Sequence, residues 1–424
     1  MSFEHPTRLR AGVASSLLVL LAALGLTFTA GLALKASCSR GGATWEDGRQ
    51  YRRLCYSDIV PLYDNEHLAS GRLPYLDPCP PRASMCDEYP VVTMYTMRAA
   101  AAPVHGHRAF FYANAAILAA AAIGTALTLA ALVGRRALLF ALAPSLALYG
   151  FMNWDLLAVL LATLATASAV RGRSRLCGAF CGLGAAAKLY PALLLAPFGL
   201  QRRREAGPRA AVSVGVAATM TWLTLNLPFA VLAFDGWSTF YRFNFSRPAD
   251  FDSLWYITCQ RLVAHQPVGS ACPYGHAVNL AALATFVVGA VVLYQLRARR
   301  DPGFARWTFG FPMLVLFLLS NKVYSPQYSL WLLPWFVLIN VRLSRFLAFE
   351  AVEIVLFVTR FSFLGNLKGV PGLGLLPFQL AAVARAVVLV VLLVDWVRGG
   401  QAAWAEAPAP AEPASTPEPD LVLS

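Results

Sequence analysis

The chain of 424 residues is 58% hydrophobic and only 13% charged, with a mean hydropathy of +0.56. This composition excludes an ordinary soluble globular domain, so a lipid bilayer must act as solvent for most of the chain. The formal net charge of +13 comes from short basic clusters between apolar stretches. Such clusters are typical of cytoplasmic loops and do not indicate a nucleic-acid partner. The apolar runs are continuous rather than alternating, which excludes a closed membrane barrel.

The first apolar run, about 11–34, is predicted as a transmembrane helix. It is too long for a signal peptide and lacks a convincing small-residue cleavage site. It leads from a cytoplasmic N-terminus, 1–10, to a long polar segment, 35–108, which we expect outside the membrane. The next predicted helices span about 109–133, 137–151 and 156–170.

The interval 176–201 carries arginine clusters on both sides, so one full crossing cannot connect them. A pair of short or broken helices that turn at 188–191 can connect the two clusters. A break is expected there because the residue before a proline is disfavoured in a helix. Broken helices at membrane depth usually line a cavity.

The second half continues the alternation with a helix of about 210–232, a second outer loop, 233–275, and a returning helix. Helices of about 306–320 and 329–341 and two more complete about 12 membrane segments. We therefore predict a multi-pass protein of the bacterial plasma membrane with a transmembrane domain over 11–398. The tail, 399–424, is rich in Ala, Pro and Glu and is predicted to be cytoplasmic and disordered.

Each outer loop holds an even number of cysteines, which favours disulfides in an oxidising compartment over free thiols. For the second loop this predicts a bond between Cys259 and Cys272. Three connectivities are possible in the first loop. Its cysteines are Cys38, Cys55, Cys79 and Cys86. No cysteine spacing is typical of a zinc site, and neither a metal nor a cofactor is expected.

Ionisable residues near breaks in the apolar segments are candidates for chemistry. Lysine is rare, and Lys188 and Lys322 lie at such breaks, where a lipid phosphate would be a suitable partner. Snorkelling of Lys188 to the interface and a plain outer-loop role for Lys322 are the alternatives. Arg242 is a further outer-face candidate for a phosphate or an acidic headgroup.

A first-loop carboxylate could act as a general base, although spacing alone favours a solvated acid. The absence of nucleotide-binding sequence motifs argues against a cytosolic nucleotide-driven mechanism.

Several short motifs, in order, resemble glycosyltransferase family 87. They are Asp58 in Ser-Asp-Ile-x-x-Leu-Tyr, Gly71-x-x-Pro74-Tyr75, Glu88-Tyr89-Pro90, Asn153-x-Asp155, Lys188-Leu189-Tyr190-Pro191, and the segment from Asn321 to Tyr328. The similarity covers roughly 10–398. Mycobacterial mannosyltransferases of this family tend to have histidine in the last segment, where this chain has Lys322, Gln327 and Tyr328.

The resemblance implies an all-α, GT-C-type helical bundle that transfers a hexose, with mannose as the expected sugar, from a polyprenyl-phosphate donor. The acceptor would be a hydroxyl of an outer-face glycolipid or glycan, and the anomeric carbon would be inverted. Asp58 matches the family's catalytic aspartate. The expected donor-phosphate residues are Lys188, Lys322, Arg242 and Tyr328. Expected substrate-binding residues are Tyr63, Asp64, Tyr75, Glu88, Asn153, Asp155, Tyr190, Tyr324 and Gln327.

Two other functions fit a polytopic chain. A transporter or flippase of lipid-linked sugars would also carry a few intramembrane cations, but transporters often contain matching broken helices in both halves. Only one clearly broken segment is evident in the sequence. A non-catalytic partner in polymer assembly would keep the fold without using Asp58.

Overall fold

The structure is a computed structural model that describes residues 5–39, 45, 47–80, 85–262, 268, 270, 272 and 275–399. Residues 1–4 of the predicted N-terminus and 400–424 of the predicted tail lie outside the described residues. Within the described ranges the regular elements are all helical, which confirms the predicted all-α class.

The α-helices are α1 (His5–Ala36), α2 (Arg49–Arg52), α3 (Ile59–Asn65), α4 (Val91–Ala101), α5 (His107–Val133), α6 (Leu138–Ala141), α7 (Pro144–Tyr149), α8 (Asp155–Val170), α9 (Ser174–Ala187), α10 (Leu195–Leu232), α11 (Phe234–Ser246), α12 (Leu254–Leu262), α13 (Gly275–Arg300), α14 (Gly310–Ser320), α15 (Leu333–Leu338), α16 (Leu343–Leu367) and α17 (Leu375–Arg398). Short 3-10 helices cover Leu68–Ser70, Gly134–Ala137, Tyr190–Leu194, Arg306–Phe309 and Pro326–Trp331.

Five helical stretches of the described chain are long and apolar enough to cross a membrane. They are Ser16–Ala36, His107–Ala141, Tyr190–Leu232, Gly275–Arg300 and Leu375–Arg398. Two shorter apolar helices, Asp155–Val170 and Arg306–Ser320, accompany them. The chain is thus a multi-pass membrane protein, while the count of about 12 segments stays a prediction.

The chain breaks where Pro191 indicated that it would. Helix α9 ends at Ala187, and Lys188 takes an extended conformation with φ −158° and ψ 137°. A 3-10 turn then leads into α10, which is itself interrupted at Gly207, with φ 81°. The break leaves the Lys188 side chain beside a cavity instead of within a continuous helix.

Small residues allow α9 to pack closely on the second part of α10. A Cβ atom added at Gly178 would lie 2.1 Å from the carbonyl oxygen of Val214, and one at Gly182 would lie 2.3 Å from that of Ala218. Larger side chains at these glycines would therefore force the two helices apart.

Three disulfides hold the two outer loops. Of the three possible connectivities in the first loop, the structure has Cys38–Cys55 and Cys79–Cys86. In the second loop Cys259 pairs with Cys272. The remaining two cysteines, Cys177 and Cys181, are free and buried in α9.

Candidate functional site

A cavity of about 510 Å³ lies where the first outer loop, the second outer loop and the two breaks meet. Its polar and charged lining includes Tyr56, Asp58, Glu88, Tyr89, Asn153, Lys188, Arg247, Asp250, Gln327, Tyr328 and Arg360. These residues come from distant parts of the chain, so the fold itself assembles the site.

Hydrogen bonds fix the orientation of the Asp58 carboxylate at the start of α3. The backbone N–H of Asp58 donates to the carbonyl oxygen of Met152 at 2.9 Å. The Tyr56 hydroxyl donates to Oδ1 at 2.7 Å, and the Asn153 amide donates to Oδ2 at 2.9 Å. Each carboxylate oxygen thus has one protein donor and keeps further acceptor capacity for a substrate hydroxyl.

Lys188 reaches the cavity from the break after α9. Its ammonium group donates to Oδ2 of Asp155 at 2.7 Å and lies 5.1 Å from the centroid of the Tyr328 ring. Asp155 is fully buried and also accepts a hydrogen bond from Trp331 Nε1 at 2.7 Å. Because the Lys188 side chain is itself 14% exposed, its charge remains accessible to an anion in the cavity.

Arg247 contributes a second cation from the second outer loop. Its guanidinium lies 3.0 Å from the carboxylate of Asp250, and the side chain is 30% exposed. Across the cavity, burial and the nearby Asp58 raise the pKa of Glu88, while the positive charge of Arg247 opposes that rise. Arg247 is therefore close enough to the carboxylates of the site to affect their ionisation.

Arg360 is the third cation, and it is held in place by Asp252. Its Nε lies 2.9 Å from both carboxylate oxygens of Asp252, which is fully buried. The pairing fixes the guanidinium, which lines the cavity from α16.

Two of the predicted phosphate ligands do not line this cavity. The Lys322 ammonium donates to the backbone carbonyl of Phe245 at 2.8 Å, and burial, followed by the charge of Arg247, lowers the pKa of Lys322. Arg242 is 61% exposed, donates to the carbonyl oxygen of Asp235, and lines a separate surface cavity. Lys188 and Tyr328, the other two predicted ligands, do line the cavity that contains Asp58.

The predicted substrate-binding residues are likewise divided. Glu88, Asn153 and Gln327 line the cavity, and Asp155 contacts it through Lys188. The others lie outside its lining and take part in local contacts. Tyr63 stacks on Phe110, Asp64 pairs with His107, Tyr75 donates to the carbonyl of Tyr89, Tyr190 stacks on Trp331, and Tyr324 packs under Arg385.

Sequence reasoning missed Tyr56, Arg247 and Arg360 as parts of the site. The spacing Tyr56-x-Asp58 was a usable signal for the tyrosine. Arg247 lies in the same short segment as Arg242, and nothing local distinguishes the two. Arg360 gave no signal, because its partner Asp252 is 108 positions away in the sequence.

The arrangement combines an oriented carboxylate with three cations around one space. A carboxylate can accept the proton of an attacking hydroxyl, and fixed cations stabilise negative charge that develops on a leaving phosphate. Among the described residues there is no group of three or more His, Cys, Asp or Glu side chains that could hold a metal ion.

Comparison with known proteins identifies a family and several similar solved structures. Residues 90–320 match the model of "Glycosyltransferase family 87". No curated protein matches the chain. Similar solved structures include ArnT from Cupriavidus metallidurans bound to undecaprenyl phosphate, with 15% identity, a TM-score of 0.42, and coverage of 92% of this chain and 78% of that one. The apo form of the same protein gives 14% identity, a TM-score of 0.42, and coverage of 91% and 78%.

Proposed function

The chain belongs to glycosyltransferase family 87, and on this premise we propose that it transfers a hexose, mannose in the first instance, from a polyprenyl-phosphate donor. The acceptor is a hydroxyl of a glycolipid or glycan at the outer face of the bacterial plasma membrane. The match over residues 90–320 confirms the family that the sequence motifs resembled, and it identifies the chain as a glycosyltransferase with a GT-C-type helical bundle. The sugar, the donor and the acceptor are the proposed part.

One observation carries this proposal, namely that Asp58 shares its cavity with Lys188, Arg247 and Arg360. A carboxylate alone could bind a cation or cap a helix, and cations alone could bind a lipid headgroup. Both types of group around one space of about 510 Å³ support a reaction between a hydroxyl and a phosphate ester.

In the proposed reaction, Asp58 accepts the proton of the acceptor hydroxyl as the hydroxyl oxygen bonds to the anomeric carbon of the donor. The bond between that carbon and the phosphate oxygen breaks, and the electron pair leaves with the polyprenyl phosphate. Attack from the face opposite to the leaving group inverts the anomeric carbon. Cations at the phosphate stabilise the charge that develops as the bond breaks.

We assign the donor phosphate to Lys188, Tyr328 and Arg247. Lys188 and Tyr328 were expected in this role, and Arg247 replaces Arg242 because only Arg247 lines the cavity. Lys322 acts indirectly in this scheme, because its ammonium holds the carbonyl of Phe245 two positions before Arg247. A lipid-linked donor suits a multi-pass chain whose sequence has no nucleotide-binding motif.

The test is a transfer assay on protein reconstituted in lipid nanodiscs. The protein is incubated with polyprenyl-phosphate mannose, glucose or galactose and a lipid extract that contains glycolipid acceptors. We expect a glycosylated lipid and free polyprenyl phosphate in equal amounts with at least one donor, and loss of both with Asp58→Asn. In sealed proteoliposomes, where the two faces of the bilayer are separate, movement of donor across the bilayer without any transfer would overturn the proposal in favour of a flippase.

A further inference from the structure

A second cavity, of about 460 Å³, adjoins the one that contains Asp58. Tyr56 and Pro61 line both cavities, so a single wall separates them. The volume falls within the range of about 300–1,000 Å³ that is common for small-molecule sites. The other main residues that line this second cavity are Trp45, Asp47, Gln50, Tyr51 and Lys368.

The side chain of Gln50 is a buried polar group with an unused acceptor. Gln50 is 8% exposed, and its Oε1 atom has no hydrogen-bond partner among the described residues. Buried acceptors without a partner are rare in native proteins, and such an atom in a cavity wall indicates a missing donor. A ligand with hydroxyl groups would supply one.

The position of Gln50 is fixed by the chain around it. The backbone N–H of Cys55 donates to the Gln50 carbonyl at 3.1 Å, and Cys55 is bonded to Cys38, which lies just after α1 at the start of the first outer loop. The chain that carries this side chain is therefore held by a cross-linked turn in the wall of the cavity.

Aromatic rings form the other walls. Trp45 is 5% exposed and packs on Phe111 with ring centroids 5.0 Å apart, and Tyr51 stacks on Tyr56 at 6.1 Å with planes 22° apart. Rings that combine an apolar face with polar groups nearby suit a sugar ring, which has both an apolar C–H face and a rim of hydroxyls.

We propose that this second cavity binds the sugar ring of the acceptor and that Gln50 Oε1 accepts a hydrogen bond from one of its hydroxyls. This inference rests on the proposed function, because the reacting hydroxyl of the same acceptor must lie at Asp58 in the adjoining cavity. Tyr56 then serves both sites, since its hydroxyl donates to Asp58 Oδ1 at 2.7 Å and its ring forms part of the dividing wall. The acceptor is accordingly a carbohydrate headgroup and not a simple lipid alcohol.

Binding of a carbohydrate can be measured without turnover. Nanodiscs that hold the full chain are titrated with methyl α-D-mannopyranoside, methyl α-D-glucopyranoside and methyl α-D-galactopyranoside, and binding is followed by saturation-transfer NMR. Gln50→Met keeps the length of the side chain and removes the acceptor. We expect it to weaken binding of the preferred glycoside about 5- to 10-fold, the effect of one hydrogen bond. Gln379→Met is the matched control, because Gln379 is a 4% exposed glutamine of α17 that lines neither cavity. Gln327→Met reports on the Asp58 cavity, because Gln327 is a 6% exposed glutamine in its wall.

A second variant approaches the cavity from another element. Val370 lines it beside Gly48, where an added Cβ would lie 2.8 Å from a methyl group of Val370. Val370→Phe fills the space from the loop between α16 and α17 without replacing Gln50 itself, and it should also abolish glycoside binding. Agreement between the two variants supports the site even if one of them is less stable.

The outcomes separate this site from the proposed function. Normal transfer by the wild type, combined with glycoside binding that neither variant changes, overturns the site and leaves the transferase. Loss of binding in Gln327→Met but not in Gln50→Met would put the glycoside in the Asp58 cavity and also overturn the site. Failure of the wild type to bind any of the three glycosides overturns the carbohydrate assignment. Glycoside binding that depends on Gln50, in a protein that transfers no sugar, supports the site and overturns the proposed function.

Discussion

The ammonium group of Lys188 lies 2.7 Å from a carboxylate oxygen of Asp155, and this contact joins the break after α9 to the first turn of α8. Asp155 is fully buried, and its second oxygen accepts the indole N–H of Trp331. The pair therefore fixes a cation of the site and also neutralises a buried acid.

Lys188→Met should destabilise the fold by about 3–5 kcal/mol, because it leaves the buried Asp155 without its counter-charge. The double variant Lys188→Met/Asp155→Asn removes both charges, and the new amide can still accept the hydrogen bond from Trp331. We expect the double variant to recover most of the thermal stability but not the affinity for undecaprenyl phosphate. Thermal unfolding and lipid binding in detergent test the two effects. Wild-type affinity in the double variant would show that Lys188 has only a structural role.

Asp58→Asn should lower turnover by about two to four decades, the usual contribution of general-base catalysis, while donor binding survives. The change preserves size and removes the basic carboxylate. Asp64→Asn is the matched control in the same loop, since the Asp64 side chain is 50% exposed, pairs with His107 and lies outside the cavity lining. Steady-state kinetics on folded protein compare the two, and near wild-type turnover of Asp58→Asn would place the base elsewhere.

Features set by local sequence were predictable, whereas features set by packing were not. Continuous apolar runs predicted the long helices, and Pro191 predicted the break, because both depend on neighbouring residues. The choice between two nearby arginines depends on packing. Helix α11 ends at Ser246, so Arg247 lies in the extended turn that follows while Arg242 stays on the exposed helix. Similarly, no local pattern indicates that Lys322 donates to the carbonyl of Phe245.

Glu66 should make stability fall as pH rises. Burial raises its pKa from 4.5 to about 7, although the backbone N–H groups of Asp87 and Glu88 oppose the rise by donating to its carboxylate. Between pH 4.5 and 7 the folded state binds more protons than the unfolded state. The free energy of unfolding therefore decreases across this window, by about 3 kcal/mol at most, and levels off above it.

Glu66→Gln removes this titration. The difference in unfolding temperature between wild type and Glu66→Gln should shrink or change sign from pH 4.5 to 7 and stay constant at higher pH. Subtracting the variant cancels the other titrating groups. A difference that does not vary with pH would show that Glu66 keeps an ordinary pKa in the folded protein.

The eight cysteines, all within the described ranges, form three pairs and leave Cys177 and Cys181 free. Unfolding without a reductant should expose only the two thiols of α9 to an alkylating reagent, and all eight should react after reduction. Peptide mass spectrometry identifies the labelled positions. Labelling of Cys259 or Cys272 before reduction would exclude the pair that closes the second outer loop.

The sharpest test of the phosphate assignment compares two arginines five positions apart. Arg247 lines the Asp58 cavity and is 30% exposed, whereas Arg242 is 61% exposed and faces a different cavity. A charge-assisted hydrogen bond is worth about 1.5–3 kcal/mol, so Arg247→Gln should weaken binding of undecaprenyl phosphate about 10- to 100-fold.

Arg242→Gln carries the same change in net charge and should alter affinity less than about twofold, because exposed charges are screened by salt. Arg247→Lys should retain part of the affinity, since it keeps the charge but loses the planar guanidinium. Lipid titrations at two salt concentrations measure all three variants. Equal losses in Arg247→Gln and Arg242→Gln would mean that general attraction to the outer face, and not a direct contact in the cavity, sets the affinity for the donor.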